Sequence, residues 1–283
     1  MRSEAIPCMV CNAVPTTGPR YHKWGFDIAV CPVCGLGRTM VREGFEPAEL
    51  YDLGYFTGQR RDGYADYPGS ERALRREFRR SLGTLRRYVS GGRLLEVGCA
   101  WGYLLDLAQS HFQVEGLELC PEAVAACRDR GLDVRREPVG PASLAGRGPY
   151  DAVVMLDVIE HLPDPRESLT LIHEALVPGG HVLVTTGDFG SRLSRVMGRH
   201  WRLLTPPQHL YFFTRQCIGR LFAQTGFTVV SLTSPWKRVP LGLILYQLGR
   251  RLGRGAPLRW EWLDSVSLPL NLFDAMQLVA RRD

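Results

Sequence analysis

Residues 94–105 read LLEVGCAWGYLL. An apolar run from Leu94 to Val97, broken only by Glu96, meets a turn bearing Gly98 and Gly102. A second apolar pattern with helical spacing follows. A strand that ends in a glycine turn and feeds a helix aims backbone N–H groups at the carboxyl edge of a sheet, where open α/β sheets take their ligands. A dinucleotide loop has the form G-x-G-x-x-G, which admits a pyrophosphate. Here the last glycine comes one residue early, and Ala100 stands at the middle position. The turn therefore suits a nucleoside ligand that carries no phosphate. Glu118, 20 residues beyond Gly98, closes the next strand pattern, QVEGLEL. An acid there accepts ribose hydroxyls.

Toward the C-terminus, strand and helix patterns alternate. PEAVAACRDRG is a helix with Pro121 at its start and Gly131 at its end, and LDVRR is a short strand. YDAVVMLD is a strand, DPRESLTLIHEAL a helix and GGHVLVTT a strand. Near-continuous apolar strands in this rhythm mean a parallel sheet covered on both faces, an α/β class. The tail breaks the rhythm: TVVSLTS and DAMQLVARR are strands separated by an insert, residues 235–270. Being near the chain end, they are expected to form a hairpin-like antiparallel edge. Within the insert, LGLILYQLGRRLGRG joins an apolar run to Arg250, Arg251 and Arg254. It reads as an acceptor-side lid, or as an interfacial helix beside a lipid-linked substrate, or as core packing.

Toward the N-terminus, residues 71–89 form a helix with Leu74, Phe78, Leu82, Leu85 and Val89 on one face. Arg72, Arg75, Arg76, Arg79, Arg80, Arg86 and Arg87 occupy the remainder. Such a face is either solvated or a grip for anions. Residues 46–70 are aromatic and turn-rich. Before them lie Cys8 and Cys11, then Cys31 and Cys34, two C-x2-C pairs about 20 residues apart. Two such turns build a closed tetrahedral sulfur cage for Zn²⁺, or for iron in a rubredoxin-like cage, with a structural role. So short a segment relies on the metal to fold. The chain thus divides into a zinc-ribbon-like unit (1–45), an aromatic lid with the basic helix (46–90) and a main domain (91–283).

With 283 residues and a net charge of +6, the chain has ample core, and a polyanionic partner is permitted but not demanded. No signal-peptide pattern opens it. Its longest apolar stretch, residues 239–248, falls short of the about 20 residues that span a bilayer. A cytoplasmic protein with reduced thiols is expected.

In their order and spacing, EVGCAWG, GLEL, YDAVVMLDVIEHLPDP and LVPGGHVLVTT resemble the class I S-adenosylmethionine-dependent methyltransferases, over roughly residues 91–283. The resemblance implies a Rossmann-like, seven-stranded sheet with an antiparallel last strand, and S-adenosylmethionine as cofactor. Glu96, Gly98, Cys99 and Gly102 would line its methionine and ribose part. Glu118 would bind the ribose hydroxyls, and Asp157 would lie near the sulfonium. The family often places an acid after the third strand for the adenine amine. VRREPVGP leaves that contact unassigned. Ala100 departs from the commoner glycine and is unstrained only at negative φ.

On the acceptor side, His161 and His209 are candidate general bases, or else structural hydrogen bonders. Asp157, Glu160 and His161 form D-x-x-E-H. This is similar to the E-x-x-E-H of small-RNA 3′-end methyltransferases and ubiquinone-biosynthesis O-methyltransferases, in which a divalent ion holds the acceptor oxygens. His209 is similar to the further histidine of the RNA enzymes. PPQHLYFFT with the cysteine unit also looks like bacterial methyltransferases, some acting on sugars and secondary metabolites. Tyr64 and Tyr67 fall in a segment that resembles their cofactor cover. The expectation is O-methylation of a small-molecule or sugar acceptor. An RNA methyltransferase gripping phosphates with the ribbon and arginine helix, and an inactive scaffold of the same fold, are the alternatives. Peripheral membrane contact and the oligomeric state are left open.

Overall fold

The computed structural model describes residues 7–14, 18–59, 63–64, 66–235, 237–240 and 267–283. Three short strands come first: β1 (Tyr21–Lys23), β2 (Phe26–Val30) and β3 (Gly37–Met40). Helices α1 (Leu53–Phe56) and α2 (Glu71–Leu85) follow. The alternating part runs β4 (Gly92–Val97), α3 (Tyr103–Ala108), β5 (Phe112–Leu117), α4 (Pro121–Asp129), β6 (Val134–Arg135), α5 (Pro141–Leu144), β7 (Tyr150–Leu156), α6 (Pro165–Ala175) and β8 (Leu176–Gly187). Then come α7 (Arg192–Met197), β9 (Tyr211–Phe212), α8 (Arg215–Gln224), β10 (Phe227–Thr233), β11 (Lys237–Pro240), β12 (Ser267–Leu270) and β13 (Ala275–Arg282).

Seven strands form the main sheet in the order β10-β13-β8-β7-β4-β5-β6. The strands from β8 to β6 pair in parallel, and β13 runs antiparallel to both β8 and β10. The tail strands pair antiparallel with each other and make up one edge of the sheet, as expected, with β13 between β8 and the outermost β10. Period-2 alternation assigns the two faces. Leu95, Val97, Val153, Met155 and Val184 pack with α6 and α8, while Leu94, Val154 and Leu183 pack with α2, α3 and α4. Local signals set the helix starts. The Asp164 carboxylate accepts the N–H groups of Arg166 and Glu167 ahead of Pro165, and Thr214 caps α8 through Cys217 N.

Helix α2 stops at Leu85, short of the expected Val89, but its inward face is as read. Leu82 and Leu85 are buried, with Phe78 and Val89 packed beside them. Arg72, Arg76, Arg79, Arg86 and Arg87 are exposed, whereas Arg75 turns back to Asp106 at 2.5 Å and Glu71 at 2.6 Å.

The cysteine-bearing segment is joined to the main domain more closely than a boundary at residue 45 implies. Its sheet runs β1-β2-β3-β9, and the fourth strand comes from the far end of the chain. Cys8, Val10, Cys31, Cys34 and Leu36 share one apolar core with β7, β8, α6 and α8. Gln224 Nε2 donates to Val10 O at 3.0 Å, and Thr214 Oγ1 to Cys34 O at 3.2 Å. The lid or interfacial helix expected in LGLILYQLGRRLGRG lies outside the described residues; its flanks β11 and β12 pair antiparallel. Among the described residues, no helix is long and apolar enough to cross a membrane.

Candidate functional site

The turn after β4 is left-handed at alternate steps: Gly98 has φ 70°, Ala100 45° and Gly102 65°. At Gly98 a Cβ would stand 2.7 Å from Val158 Cγ2, so only glycine fits. Ala100 corrects the expectation of negative φ. Its methyl is buried against the aromatic cluster of Tyr55, Phe56, Tyr67 and Tyr103, and that packing offsets a left-handed cost of about 1–2 kcal/mol. Glu118, just past β5, holds the turn. One carboxylate oxygen accepts Ala100 N at 2.8 Å, and the other accepts Leu119 N at 2.7 Å and Cys120 N at 2.9 Å. Burial nonetheless raises its pKa.

A cavity of about 360 Å³ opens at this edge, bordered by Gly98, Ala100, Glu118, Glu137, Asp157 and His161. Its roof is the aromatic segment, with Tyr51, Tyr55, Phe56, Tyr64 and Tyr67. That segment folds on itself through Tyr64 N–Tyr55 O and Tyr67 N–Phe56 O, each 2.8 Å. A smaller recess of about 120 Å³ continues inward past Gly98 and Asp157 to Glu96, Glu77 and Thr185. Glu96 is fully buried there, and its carboxyl is pushed well above the usual range by burial and then by Cys127 and Glu118. Asp157 stands at the junction of the two spaces, fixed by Thr185 Oγ1, which donates to its carboxylate at 3.0 Å.

Two residues expected to line the cofactor's path do not border either space. The Cys99 sulfur turns into the core between β5 and α3, and a Cβ on Gly116 would meet it at 2.7 Å. Gly102 caps α3, and a Cβ there would meet Leu132 at 2.7 Å and Cys127 at 2.9 Å.

On the acceptor side, His161 borders the cavity. Its Nδ1 lies 2.9 Å from Gln208 O, an acceptor only, so Nδ1 carries the proton and Nε2 keeps its lone pair. His209 lies behind, edge-on to His161 with ring centroids 4.7 Å apart. Burial lowers both pKa values, His161 to about 4 and His209 to about 3, the latter also through His161. Both rings are neutral at pH 7. Glu160, His161 and His209 bring ligand atoms within 4.8 Å of one another. Asp157, expected as a fourth ligand, lies outside this group and bonds Thr185 instead.

The four cysteine sulfurs also converge within 4.8 Å, with Cys8–Cys34 at 3.5 Å and Cys11–Cys31 at 3.4 Å. A tetrahedral zinc with bonds of about 2.3 Å needs edges of about 3.8 Å, so the donor set fits the ion. Each C-x2-C turn closes alike: Asn12 N donates to Cys8 O and Gly35 N to Cys31 O, with Asn12 and Gly35 at positive φ. Burial pushes the Cys31 thiol up, but the backbone N–H groups of Cys34 and Val33 outweigh it and bring it to about 7.

Sequence reasoning missed Glu137 and Thr39. Glu137 follows β6, borders the cavity and is held by Arg135 Nη1 at 3.0 Å. The signal was present as the acid within RREP, which offers little contrast among its arginines. Thr39 carried no signal, because its partners lie about 170 residues away.

The sheet order, glycine turn and acid after the second strand define a Rossmann-like enzyme of the S-adenosylmethionine-dependent methyltransferase class. Comparison with protein families matches residues 70–232 to the one described as methyltransferase domain, and the chain belongs to it. The chain is 28% identical over 184 residues to the ubiquinone biosynthesis O-methyltransferase of Xylella fastidiosa (strain M23), covering 60% of this chain and 73% of that protein. The protein of the same name from Xanthomonas oryzae pv. oryzae (strain PXO99A) is 33% identical over 105 residues, 35% of this chain and 44% of the relative. Among solved structures, magnesium protoporphyrin IX methyltransferase of Synechocystis PCC 6803 with bound SAH matches at a TM-score of 0.51 and 14% identity, covering 83% of this chain and 98% of that one. A methyltransferase from Thermotoga maritima matches at 0.50 and 17%, covering 75% and 91%. Both likenesses concern the fold.

Proposed function

We propose that this methyltransferase acts on an oxygen of a small-molecule or sugar acceptor, with His161 as general base. The observation that carries the reading is one cavity bordered at once by Glu118, Asp157 and His161, a histidine whose Nδ1 is engaged by Gln208 O. S-adenosylmethionine, when bound, supplies an electrophilic methyl on sulfur. The residues fit that cofactor. The Gly98 cradle has no room for a Cβ, and Glu118 is pre-set by three backbone N–H groups with one acceptor position left for a ribose hydroxyl. When the cofactor is bound, Glu137 would meet the adenine, Glu96 and Gly98 the methionine part, and Asp157 the stretch between them. The aromatic roof excludes water and orients the acceptor, a contribution of about 7–11 kcal/mol when alignment is good. His161 Nε2 takes the hydroxyl proton, worth about 10²–10⁴-fold. The four cysteines hold a structural Zn²⁺. The relatives' shared name, O-methyltransferase, supports oxygen as the target.

Turnover on a panel of phenols, catechols and nucleotide-linked sugars, read as SAH release, tests this. His161→Gln is expected to lower kcat by about a hundredfold or more with SAH affinity unchanged. Transfer confined to amines or carbon acids, or a His161→Gln enzyme at full rate, refutes it. The convergence of Glu160, His161 and His209 favours a second reading, in which a divalent ion rather than a bare imidazole holds the acceptor oxygen. Calorimetric titration with Mn²⁺ or Zn²⁺ against wild type and His209→Ala separates the two.

A further inference from the structure

Three successive carbonyls of the loop before β9 are each claimed from outside it. Gln208 O accepts from His161 Nδ1 at 2.9 Å, His209 O from Thr39 Oγ1 at 2.6 Å, and Leu210 O from Thr39 N at 2.9 Å. The loop answers once, with Leu210 N donating to Glu160 O at 2.9 Å. One threonine of the cysteine ribbon therefore grips two successive carbonyls, His209 O and Leu210 O, next to the carbonyl that sets the His161 tautomer. Thr39 is 1% exposed, in a strand where valine would fill the same volume and suit the pleat as well. What threonine adds is one hydroxyl, and that hydroxyl goes to His209 O.

We propose that Thr39 is a positioning residue for the acceptor-side histidines: its hydroxyl, presented by the ribbon strand β3, fixes the 208–210 backbone so that the Gln208 carbonyl holds the His161 ring through its Nδ1 proton. The proposal deepens the general-base reading of His161 and rests on it. The ribbon then completes the acceptor half of the site, while the cofactor half, built on β4, β5 and β7, is independent of it. Removing the hydroxyl leaves a buried carbonyl unmatched, which costs more than the bond itself contributes.

The test uses the full-length chain, ¹⁵N-labelled, with SAH as the cofactor-site probe. Thr39→Val keeps the shape and removes the hydroxyl; Thr39→Ser keeps the hydroxyl. In Thr39→Val, SAH affinity is expected to stay within about twofold, hydrogen exchange at the Leu210 amide to rise about tenfold, and the His161 Nδ1 proton signal to broaden or vanish. Thr39→Ser is expected to restore both signals. Should Thr39→Val fail to fold, Thr39→Ala against Thr39→Ser gives the same comparison. Unchanged Leu210 exchange and an intact Nδ1 signal in the folded hydroxyl-free variant overturn the proposal, as does a serine variant that matches valine. A His161→Gln enzyme at full rate, with the Thr39→Val signals as expected, would instead strike the general-base reading and leave the positioning by Thr39 standing.

Discussion

Glu118 ties two turns together at the edge of the cavity through three backbone N–H groups. Glu118→Ala leaves the N–H groups of Ala100, Leu119 and Cys120 unmatched, so calorimetry should show SAH affinity falling more than about tenfold, with a lowered Tm. That an acid would stand at this edge was readable from GLEL and its spacing from Gly98. The three backbone donors were not, because they arise only when the two turns meet. His161 carries a pH signature. Its folded pKa of about 4 lies below the unfolded value of about 6.5, so the unfolded chain takes up the proton first. The imidazole's contribution is complete above about pH 6.5 and is lost as pH falls toward 4, by on the order of 3 kcal/mol. Glu96 and Glu118, whose pKa values are raised, act in the opposite direction. The informative measurement is therefore the difference in denaturant stability between wild type and His161→Gln at pH 7.5 and 4.5 (both about), expected to shift toward the variant in acid. A pH-independent difference would contradict it.

Among the elements, the β4–α3 turn and the ribbon invite separate tests. Gly98→Ala combines positive φ with a Cβ 2.7 Å from Val158, and should destabilise by about 2 kcal/mol or more while abolishing SAH binding. Cys34→Ser should remove bound zinc, measured by elemental analysis, and loosen residues 207–213 in hydrogen exchange through the β3–β9 pairing. The alternating elements were legible because each buries both strand faces and keeps its own start and stop signals. Strand β9 was not, being two residues long and paired as a strand with the distant β3. For the same reason the division at residue 45 could be drawn from the cysteine spacing, while the seam that crosses it could not. The acidic and histidine pieces of the acceptor side were each visible in DVIEH and PPQHL; that Asp157 would turn away to Thr185 depends on the register between β7 and β8.

Over the whole molecule, the exposed arginines of α2 discriminate between acceptor classes. An RNA acceptor held by them loses orders of magnitude in affinity between about 50 and about 200 mM salt, whereas the small-molecule reading predicts a nearly flat KM. The parallel α/β class was legible from repeated strand–helix alternation and the seven-stranded sheet from the family resemblance, but the insertion of the last strand between β8 and β10 was not, since local pattern reports pairing partners poorly across a long insert. That place has a consequence for biosynthesis. Strand β13 fills a slot between β8 and β10, so a nascent chain that has not yet delivered residues 275–282 has a bare β8 edge and a β10 strand without its ladder partner. Ribosomal stalling or a premature stop before Ala275 should therefore yield a chaperone-dependent, self-associating product rather than a weakened enzyme.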